Sequence, residues 1–324
     1  MRPRPEILTG IESADPIMAM RLLLSDAARG PETPPAGAGA TGQPGNGAEP
    51  AASALSRGRL APYTDAPAAA WSRIAPWYAR HRPPYPSAAH RFMLDVAGLG
   101  THLRVLDLGC GAGEVALALA GRVREVVGLD TAPGMLAEAA RRAAAAGLGH
   151  RTCWRQGAAE DPDAAGPGTF DLVVIADALG YMDAAQALTV AHRRLTPGGA
   201  IVVANRSLQQ QFAWQRTAAA VTAAWFGPAE PEPPTLQGPD LLAQLTDTGF
   251  GPGIPQPVTQ WLMLDLDQAV GVQYTRLGRD PGRLGGQWPA YETELRTALA
   301  EAVPDGQYPW GERTDLLAAT RTAP

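Results

Sequence analysis

The sequence predicts an α/β fold in which helices cover both faces of a doubly wound, largely parallel sheet. Two observations support this prediction. From residue 103 onward, short apolar runs alternate with alanine-rich stretches of helical length, which is the pattern of repeated β-α-β units. A glycine-rich turn follows the first apolar run and precedes the first helical stretch, which is the context of a ligand-binding loop in such folds.

Seven apolar runs predict the strands of this sheet. The first five are LRVLDL, REVVGLD, HRTCWRQG, FDLVVIAD and AIVVANR. Helices are predicted between them over residues 112–121, 133–146 and 183–195, the last stopped by TPGG. Strands six and seven are predicted at QPVTQWLMLD and RTDLLAAT, with helical stretches near residues 266–277 and 289–302 between them.

Composition divides the chain into four segments. Residues 1–58 are predicted to form a disordered tail and linker, because residues 30–50 hold mainly Gly, Pro, Ala and small polar residues that cannot offset the entropy of ordering. Residues 59–102 are predicted to form a helical cap and residues 103–204 the ligand-binding core. Residues 205–324 would complete the same domain with a substrate lid and the last two strands.

Charge and apolar content exclude several partners. The net charge of -5 argues against nucleic acid and against an anionic membrane surface, since both attract basic proteins. An apolar stretch near the start, IMAMRLLL, is interrupted by Arg21 and is shorter than a membrane span needs. We therefore expect a cytoplasmic protein without a membrane partner.

Cysteine and histidine usage points to a reducing compartment and to no metal site. The two cysteines, Cys110 and Cys153, lie at the edges of predicted core strands, where free thiols behave as small buried apolar groups. The five histidines show no zinc-ligand spacing and no paired cysteines.

The glycine loop VLDLGCGAGE excludes two kinds of nucleotide site. A phosphate-binding loop of the Walker A type requires Gly-Lys followed by Ser or Thr, and the chain contains no lysine. A dinucleotide loop requires Gly-x-Gly-x-x-Gly, whereas Gly109, Gly111 and Gly113 follow the spacing Gly-x-Gly-x-Gly.

Acidic residues around the loop favour a cationic ligand. Asp107 ends the first strand and Glu114 begins the following helix, so a diphosphate would meet repulsion on the order of several kcal/mol in a partly desolvated cleft. A ligand with an α-ammonium and a sulfonium would be attracted. Asp130 ends the next strand, where a carboxylate can accept both ribose hydroxyls; the alternative role is to cap the helix that follows.

These motifs resemble those of the class I S-adenosylmethionine-dependent methyltransferases, in particular a bacterial small-molecule branch, methyltransferase type 11-like. The resemblance covers residues 103–204 and includes, in order, VLDLGCGAG, VVGLDTAPGMLAEAA, GAAEDP, FDLVVIADALGYMD and RRLTPGGAIVV. The upstream APWYARHRPPYP is similar to the entry segment of that branch, and VQYTRLGR is more weakly similar to its C-terminal half.

The resemblance implies a Rossmann-like fold with an antiparallel seventh strand and S-adenosyl-L-methionine as cofactor. Asp107 would meet the methionine amino group, directly or through water, Asp130 the ribose and Glu160 the adenine N6. Arg82 would suit the methionine carboxylate or lie at the surface, and Met135 would flank the adenosine or simply pack in the core. The implied cofactor-binding residues are Tyr78, Arg82, Asp107, Gly109, Gly111, Gly113, Asp130, Thr131, Met135, Ala159, Glu160 and Ala176.

Two residues are candidates for catalysis. The resembling branch often carries a histidine after strand four, where this chain has Leu179, Gly180, Tyr181 and Met182. Tyr181 could therefore position or deprotonate the acceptor, or form only a wall. His81 is the other candidate, with an exposed surface position as its alternative.

An aromatic lid is predicted over the acceptor, because exposed aromatic residues over a cleft suit a flat or apolar organic molecule. The residues concerned are Trp214, Trp225, Trp261, Tyr274 and Trp288, and each could instead belong to the core.

We expect methyl transfer to an O, N or C atom of a small organic molecule such as a secondary metabolite, with a homodimer left open. The motif that nucleic-acid amino-methyltransferases carry after strand four is absent. Two alternatives stay open, namely a non-catalytic S-adenosylmethionine-binding subunit and an enzyme that uses the same cofactor for a non-methylating reaction.

Overall fold

The computed structural model describes residues 66–98, 100–228 and 233–322. These residues belong to one compact unit, Ser56–Pro324. The predicted tail and linker over residues 1–58 lie outside the described residues and stay a prediction.

A mixed sheet of seven strands forms the centre of the described part. The strands are β1 Arg104–Leu108, β2 Glu125–Asp130, β3 Thr152–Gln156, β4 Phe170–Ala176, β5 Leu195–Gln210, β6 Ile254–Leu264 and β7 Tyr308–Thr320. Their spatial order is β3-β2-β1-β4-β5-β7-β6. Strands β1 to β5 run parallel, and β7 is antiparallel to both β5 and β6. The predicted doubly wound sheet with an antiparallel last strand is confirmed.

The winding of the sheet reverses between β1 and β4. Strand β1 pairs with β2 on one side and with β4 on the other, so the connections leave in opposite directions. In open α/β sheets such a reversal leaves a crevice beyond the carboxyl ends of the two strands, because the flanking loops diverge there. The segments that follow Leu108 and Ala176 therefore border the natural ligand site of this fold.

Helices flank the sheet in the described part of the chain. They are α1 Pro67–His81, α2 Ser87–Val96, α3 Glu114–Ala120, α4 Pro133–Ala145, α5 Ala184–Arg194, α6 Ala213–Phe226, α7 Gly238–Thr248, α8 Leu266–Gly271 and α9 Trp288–Ala302. The structure confirms α3, α4, α5 and α9 as predicted helices. The helix expected near residues 266–277 is shorter, because α8 passes into a 3-10 turn at Val272–Thr275.

Two elements differ from the sequence-based prediction. Helix α7 was not predicted, although Pro239 in its first turn and the left-handed Gly249 just after its end are ordinary start and stop signals. Strand β5 is longer than AIVVANR, because the TPGG segment expected to end the preceding helix is already part of the strand, with Leu195 paired to Phe170.

Alternate side chains of the central strands enter different hydrophobic clusters. Leu106 and Val173 lie in the cluster on one face of the sheet, and Val105 and Leu172 lie in the cluster on the other. All four are fully buried because helices cover both faces, as parallel sheets require. This two-sided burial holds the strand ends in fixed positions.

A third cluster lies among α6, α8, α9 and the ends of β6 and β7. It contains Trp214, Trp225 and Tyr274, with Trp288 packed against it. Trp261 projects from β6, the edge strand, and is largely exposed. These aromatic residues therefore build the core of the C-terminal layer and its outer edge.

No helix within the described ranges is long and apolar enough to cross a membrane. The same ranges hold no group of three or more His, Cys, Asp or Glu residues placed to bind a metal. Cys110 is a buried free thiol and burial raises its pKa, which makes it unreactive, while Cys153 is a partly buried free thiol.

Candidate active site

The glycine loop after β1 turns back beneath the loop that follows β4. Gly109, Gly111 and Gly113 have φ angles of 71°, 51° and 78°, in the left-handed region that favours glycine. A Cβ on Gly109 would lie 2.5 Å from the Cβ of Ala178, whereas one on Gly111 would meet open space. The loop backbone at Gly111 is therefore accessible to a ligand.

Gly113 serves packing instead of ligand approach. It caps α3, and a Cβ there would lie 2.8 Å from the Trp154 ring. Gly113 is absent from the wall of the cavity described below, and its predicted backbone contact with the cofactor stays a prediction.

Asp130 fixes the glycine loop and also faces the crevice. Its Oδ2 accepts a hydrogen bond from the N–H of Gly111 at 2.8 Å, and its Oδ1 accepts one from the N–H of Ala132 at 2.8 Å. Burial raises the pKa of Asp130, and these backbone N–H bonds oppose that rise. Asp130 is not the N-cap of α4, which is Ala132, but its carboxylate holds the Ala132 N–H and lines the cavity described next. Its predicted contact with a ribose stays a prediction.

A cavity of about 130 Å³ opens above the glycine loop; we call it the glycine-loop cavity. It is lined by Trp71, Tyr78, Gly109, Gly111, Leu129, Asp130, Thr131, Met135, Gly157, Ala159, Glu160, Ala176, Asp177, Ala178, Tyr181 and Met182. Every predicted cofactor residue except Arg82, Asp107 and Gly113 lies in this wall. Residues from four strand ends and from α1 and α4 thus converge on one small space.

Asp107 lies behind the loop and does not reach the cavity. It is 1% exposed, and its Oδ2 accepts a hydrogen bond from the N–H of Ala116 at 3.1 Å. Burial raises its pKa to about 7. Its side chain leaves the strand toward the helix and holds the first turn of α3. The predicted contact with the methionine amino group, directly or through water, stays a prediction.

A larger cavity of about 360 Å³ adjoins the first; we call it the arginine cavity. Trp71, Tyr78, Asp177 and Tyr181 line both cavities. Four arginines contribute to the larger wall, namely Arg82, Arg206, Arg276 and Arg279. The wall is therefore polar and basic among the described residues.

None of the five predicted lid aromatics lines either cavity. The predicted aromatic lid is wrong, because four of those residues pack in the third cluster and Trp261 lies on the edge strand. The aromatic residues at the cavities come from α1 and from the turn after β4: Trp71 packs edge to face on Tyr78 and on Tyr181, each at 5.6 Å.

Asp177 joins the two cavities and was missed from the sequence. It follows β4 with a φ of 51°, unusual for a residue other than glycine. It accepts hydrogen bonds from the N–H of Arg206 at 2.7 Å, from its Nε at 2.6 Å and from Nη2 of Arg82 at 3.1 Å. Burial alone would raise its pKa, but Arg206 and Arg82 outweigh burial and lower it. Its place at a strand end, like that of Asp130, was the available signal.

Arg82 lies in the arginine cavity and not in the glycine-loop cavity. Its Nη2 forms an ion pair with Asp177 at 3.1 Å. The guanidinium thus lies at the boundary between the two cavities, and the predicted contact with a methionine carboxylate stays a prediction.

Arg206 secures the segment before α2 beneath the crevice. Its side chain is 2% exposed, lies 3.9 Å from the Tyr85 ring centre and donates to the carbonyl of Pro83 at 2.7 Å. Glu114 accepts a hydrogen bond from the Tyr85 N–H and lies 3.8 Å from Arg206. Glu114 therefore acts in this network and not on a ligand.

The structure places the two candidate catalytic residues in different cavities. Tyr181 is 43% exposed and lines both cavities. His81 lines a different cavity with Trp77 and Trp288, and a side chain at Gly271 would overlap its imidazole. Burial lowers the pKa of His81. Its predicted catalytic role is wrong, because the last residue of α1 faces α8 and not the crevice.

Comparison with known proteins finds similarity to methyltransferases over the core of the sheet. Residues 105–199 match the family model described as a methyltransferase domain. The chain is 44% identical over 117 residues to demethylmenaquinone methyltransferase of Thermus thermophilus, covering 35% of this chain and 51% of that protein. It is 36% identical over 110 residues to ubiquinone biosynthesis O-methyltransferase of Azorhizobium caulinodans, covering 33% and 42%. The chain thus spans about half the length of these curated relatives.

Among solved structures, the YcgJ protein of Bacillus subtilis superimposes with a TM-score of 0.48 at 17% identity, covering 74% of this chain and 100% of that one. The matched segment, which contains the glycine loop, is similar to methyltransferase domains.

Proposed function

We propose that this protein transfers a methyl group from S-adenosylmethionine to an O, N or C atom of a small organic molecule. The observation that carries the proposal is the common wall of the two cavities, formed by Trp71, Tyr78, Asp177 and Tyr181. Methyl transfer is an in-line displacement, and much of its catalysis is the alignment of two reactants. A cofactor in the glycine-loop cavity and an acceptor in the arginine cavity would meet at this wall.

The glycine-loop cavity fits the cofactor from its own residues. Asp130 and Thr131 would hold the ribose, Met135 would pack on the adenosine and Glu160 would accept from the adenine N6. The open backbone at Gly111 supports close approach of the amino-acid part. S-adenosylmethionine supplies an already electrophilic methyl carbon when bound.

In the common wall, Tyr181 would orient the acceptor and Asp177 would hold negative charge near the sulfonium of the cofactor. Asp177 stays ionised because two arginines lower its pKa, so it presents negative charge between the cavities. Tyr181 reaches both cavities and is our candidate for positioning the acceptor atom.

The remaining expectations are part of the same proposal. Helix α1 carries Trp71 and Tyr78 into both cavities, which supports residues 59–102 as a cap, and Arg276 and Arg279 support residues 205–324 as the acceptor-covering half. Relatives named for menaquinone and ubiquinone compounds support a small-molecule acceptor. A role in secondary metabolism, a cytoplasmic location and a homodimer stay predictions.

Calorimetry with S-adenosylhomocysteine, NAD and ATP tests the cofactor assignment. We expect S-adenosylhomocysteine alone to bind. Asp130→Asn should weaken this binding about tenfold or more, because the side-chain amide would face two backbone N–H donors and would no longer offer them a charged acceptor. Asp247→Asn, which removes an exposed carboxylate on α7, is the matched control and should bind as the wild type does.

Turnover separates methylation from the alternatives. Incubation with acceptor mixtures should release S-adenosylhomocysteine together with a product heavier by one methylene. Tight NAD or ATP binding without affinity for S-adenosylhomocysteine would overturn the proposal.

A further inference from the structure

A third cavity, of about 240 Å³, adjoins the arginine cavity on the side of α6 and β7; we call it the Trp310 cavity. Arg276 and Arg279 line both of these cavities. The two arginines therefore stand at a junction, with the methyl-transfer boundary on one side and the Trp310 cavity on the other.

Two buried N–H donors in the wall of the Trp310 cavity lack partners within the described ranges. They are Nε2 of Gln215, a residue 8% exposed, and Nε1 of Trp310, a residue 6% exposed. The amide orientation of Gln215 is set, because its Oε1 accepts a hydrogen bond from the N–H of Phe212 at 2.7 Å. Both groups can only donate, so they suit ligand oxygen atoms.

The junction also carries positive charge. Arg276 is exposed and forms no ion pair with a carboxylate in the part of the chain that the structure describes. Arg279 is buried, donates from Nη1 to the carbonyl of Gly227 at 3.1 Å and lies over the Phe226 ring. Guanidinium groups are well suited to carboxylate and phosphate oxygens.

We propose that the acceptor carries an oxyanion, a carboxylate or a phosphate, bound by Arg276 and Arg279 at this junction, with further oxygens held by Gln215 and Trp310. Naming the bound molecule as acceptor rests on the proposed function. The reacting atom then lies toward Tyr181, and the anionic group lies at the far end of the arginine cavity.

The test is calorimetry of the full chain with inorganic pyrophosphate in one arm and benzoate in the other, at low ionic strength. Binding in the first arm assigns a phosphate group and binding in the second assigns a carboxylate. We expect Arg276→Gln to weaken the bound probe about tenfold. Arg193→Gln, an exposed arginine on α5 away from the cavities, is the matched control and should not change it.

Trp310→Phe tests the contribution of the unpartnered Nε1–H of Trp310, because it removes this N–H and keeps an aromatic ring. We expect probe binding to weaken about threefold or more while the melting temperature stays within the range of the wild type, since no protein hydrogen bond is lost.

The proposal is overturned if neither probe binds, or if Arg276→Gln and Trp310→Phe bind the probe as the wild type does. S-adenosylhomocysteine binding is measured in the same samples. Oxyanion binding without S-adenosylhomocysteine binding would overturn the proposed function. S-adenosylhomocysteine binding without oxyanion binding would overturn only this inference.

Discussion

The glycine-loop cavity and the arginine cavity share a wall but are built differently. The first takes most of its wall from strand ends and the turns directly after them, which lie within one continuous stretch of the chain. The second combines α1, the middle of β5, residues 233–237 and residues 275–279, which are far apart in sequence. The wall of the glycine-loop cavity therefore follows from local motifs, whereas the wall of the arginine cavity depends on how distant segments pack.

Asp177→Asn should have the largest effect, because Asp177 belongs to both cavities. The substitution leaves Arg206 buried with weaker partners, and asparagine tolerates the left-handed backbone, so the change reports loss of charge. We expect the free energy of unfolding in urea to fall by about 3 kcal/mol.

Asp247→Asn removes an exposed carboxylate and serves as the control, with an expected change within about 0.5 kcal/mol. Equal stability of the two variants would show that the shared wall is not held by this ion-pair network.

Asp107→Asn should reveal a pH dependence confined to the base of the glycine loop. The folded pKa of about 7 lies above the ordinary value of 3.8, so the folded state holds the proton more tightly than the unfolded state. Stability from the protonated form is then fully present below about pH 4 and is lost as pH rises to about 7.

Asparagine cannot ionise, so the variant lacks this pH dependence. The free energy of unfolding of Asp107→Asn minus that of the wild type should therefore rise by about 2 to 4 kcal/mol from pH 4 to pH 8, measured by urea unfolding at each pH. The same difference at both pH values would contradict the assigned burial.

Gly109→Ala should affect the glycine-loop cavity alone. A Cβ there has no room beside Ala178 and the backbone is left-handed, so we expect about 2 kcal/mol of destabilisation and weaker S-adenosylhomocysteine binding. Oxyanion binding at Arg276 should be unchanged.

Gly121→Ala is the matched control, since this glycine ends α3 with ordinary helical angles and free space around it. If both substitutions were equally tolerated, the close approach of the two loops would be refuted.

Much of the first cavity could be predicted because its signals are local. Asp130, Thr131 and Glu160 follow apolar strands, and strand ends on one edge of a parallel sheet converge. Asp177 carries the same signal after β4 and could have been found by extending that rule.

Neighbouring residues could still separate in ways the sequence does not show. His81 is the last residue of α1, while Arg82 is already extended with a ψ of 124°, so the two side chains enter different cavities. Asp107 lies near the end of β1, the strand that leads to the crevice, yet its carboxylate points to α3.

The sequence by itself predicted the β-α-β units and the glycine loop, because hydrophobic period and glycine spacing act over a few residues. The cofactor class was implied by the resemblance of these motifs to a methyltransferase family. Only the tertiary structure decided which charges meet at the arginine cavity. Ion pairs such as Asp177 with Arg82 and Arg206 join segments separated along the chain, and their formation depends on burial and packing that no local pattern encodes.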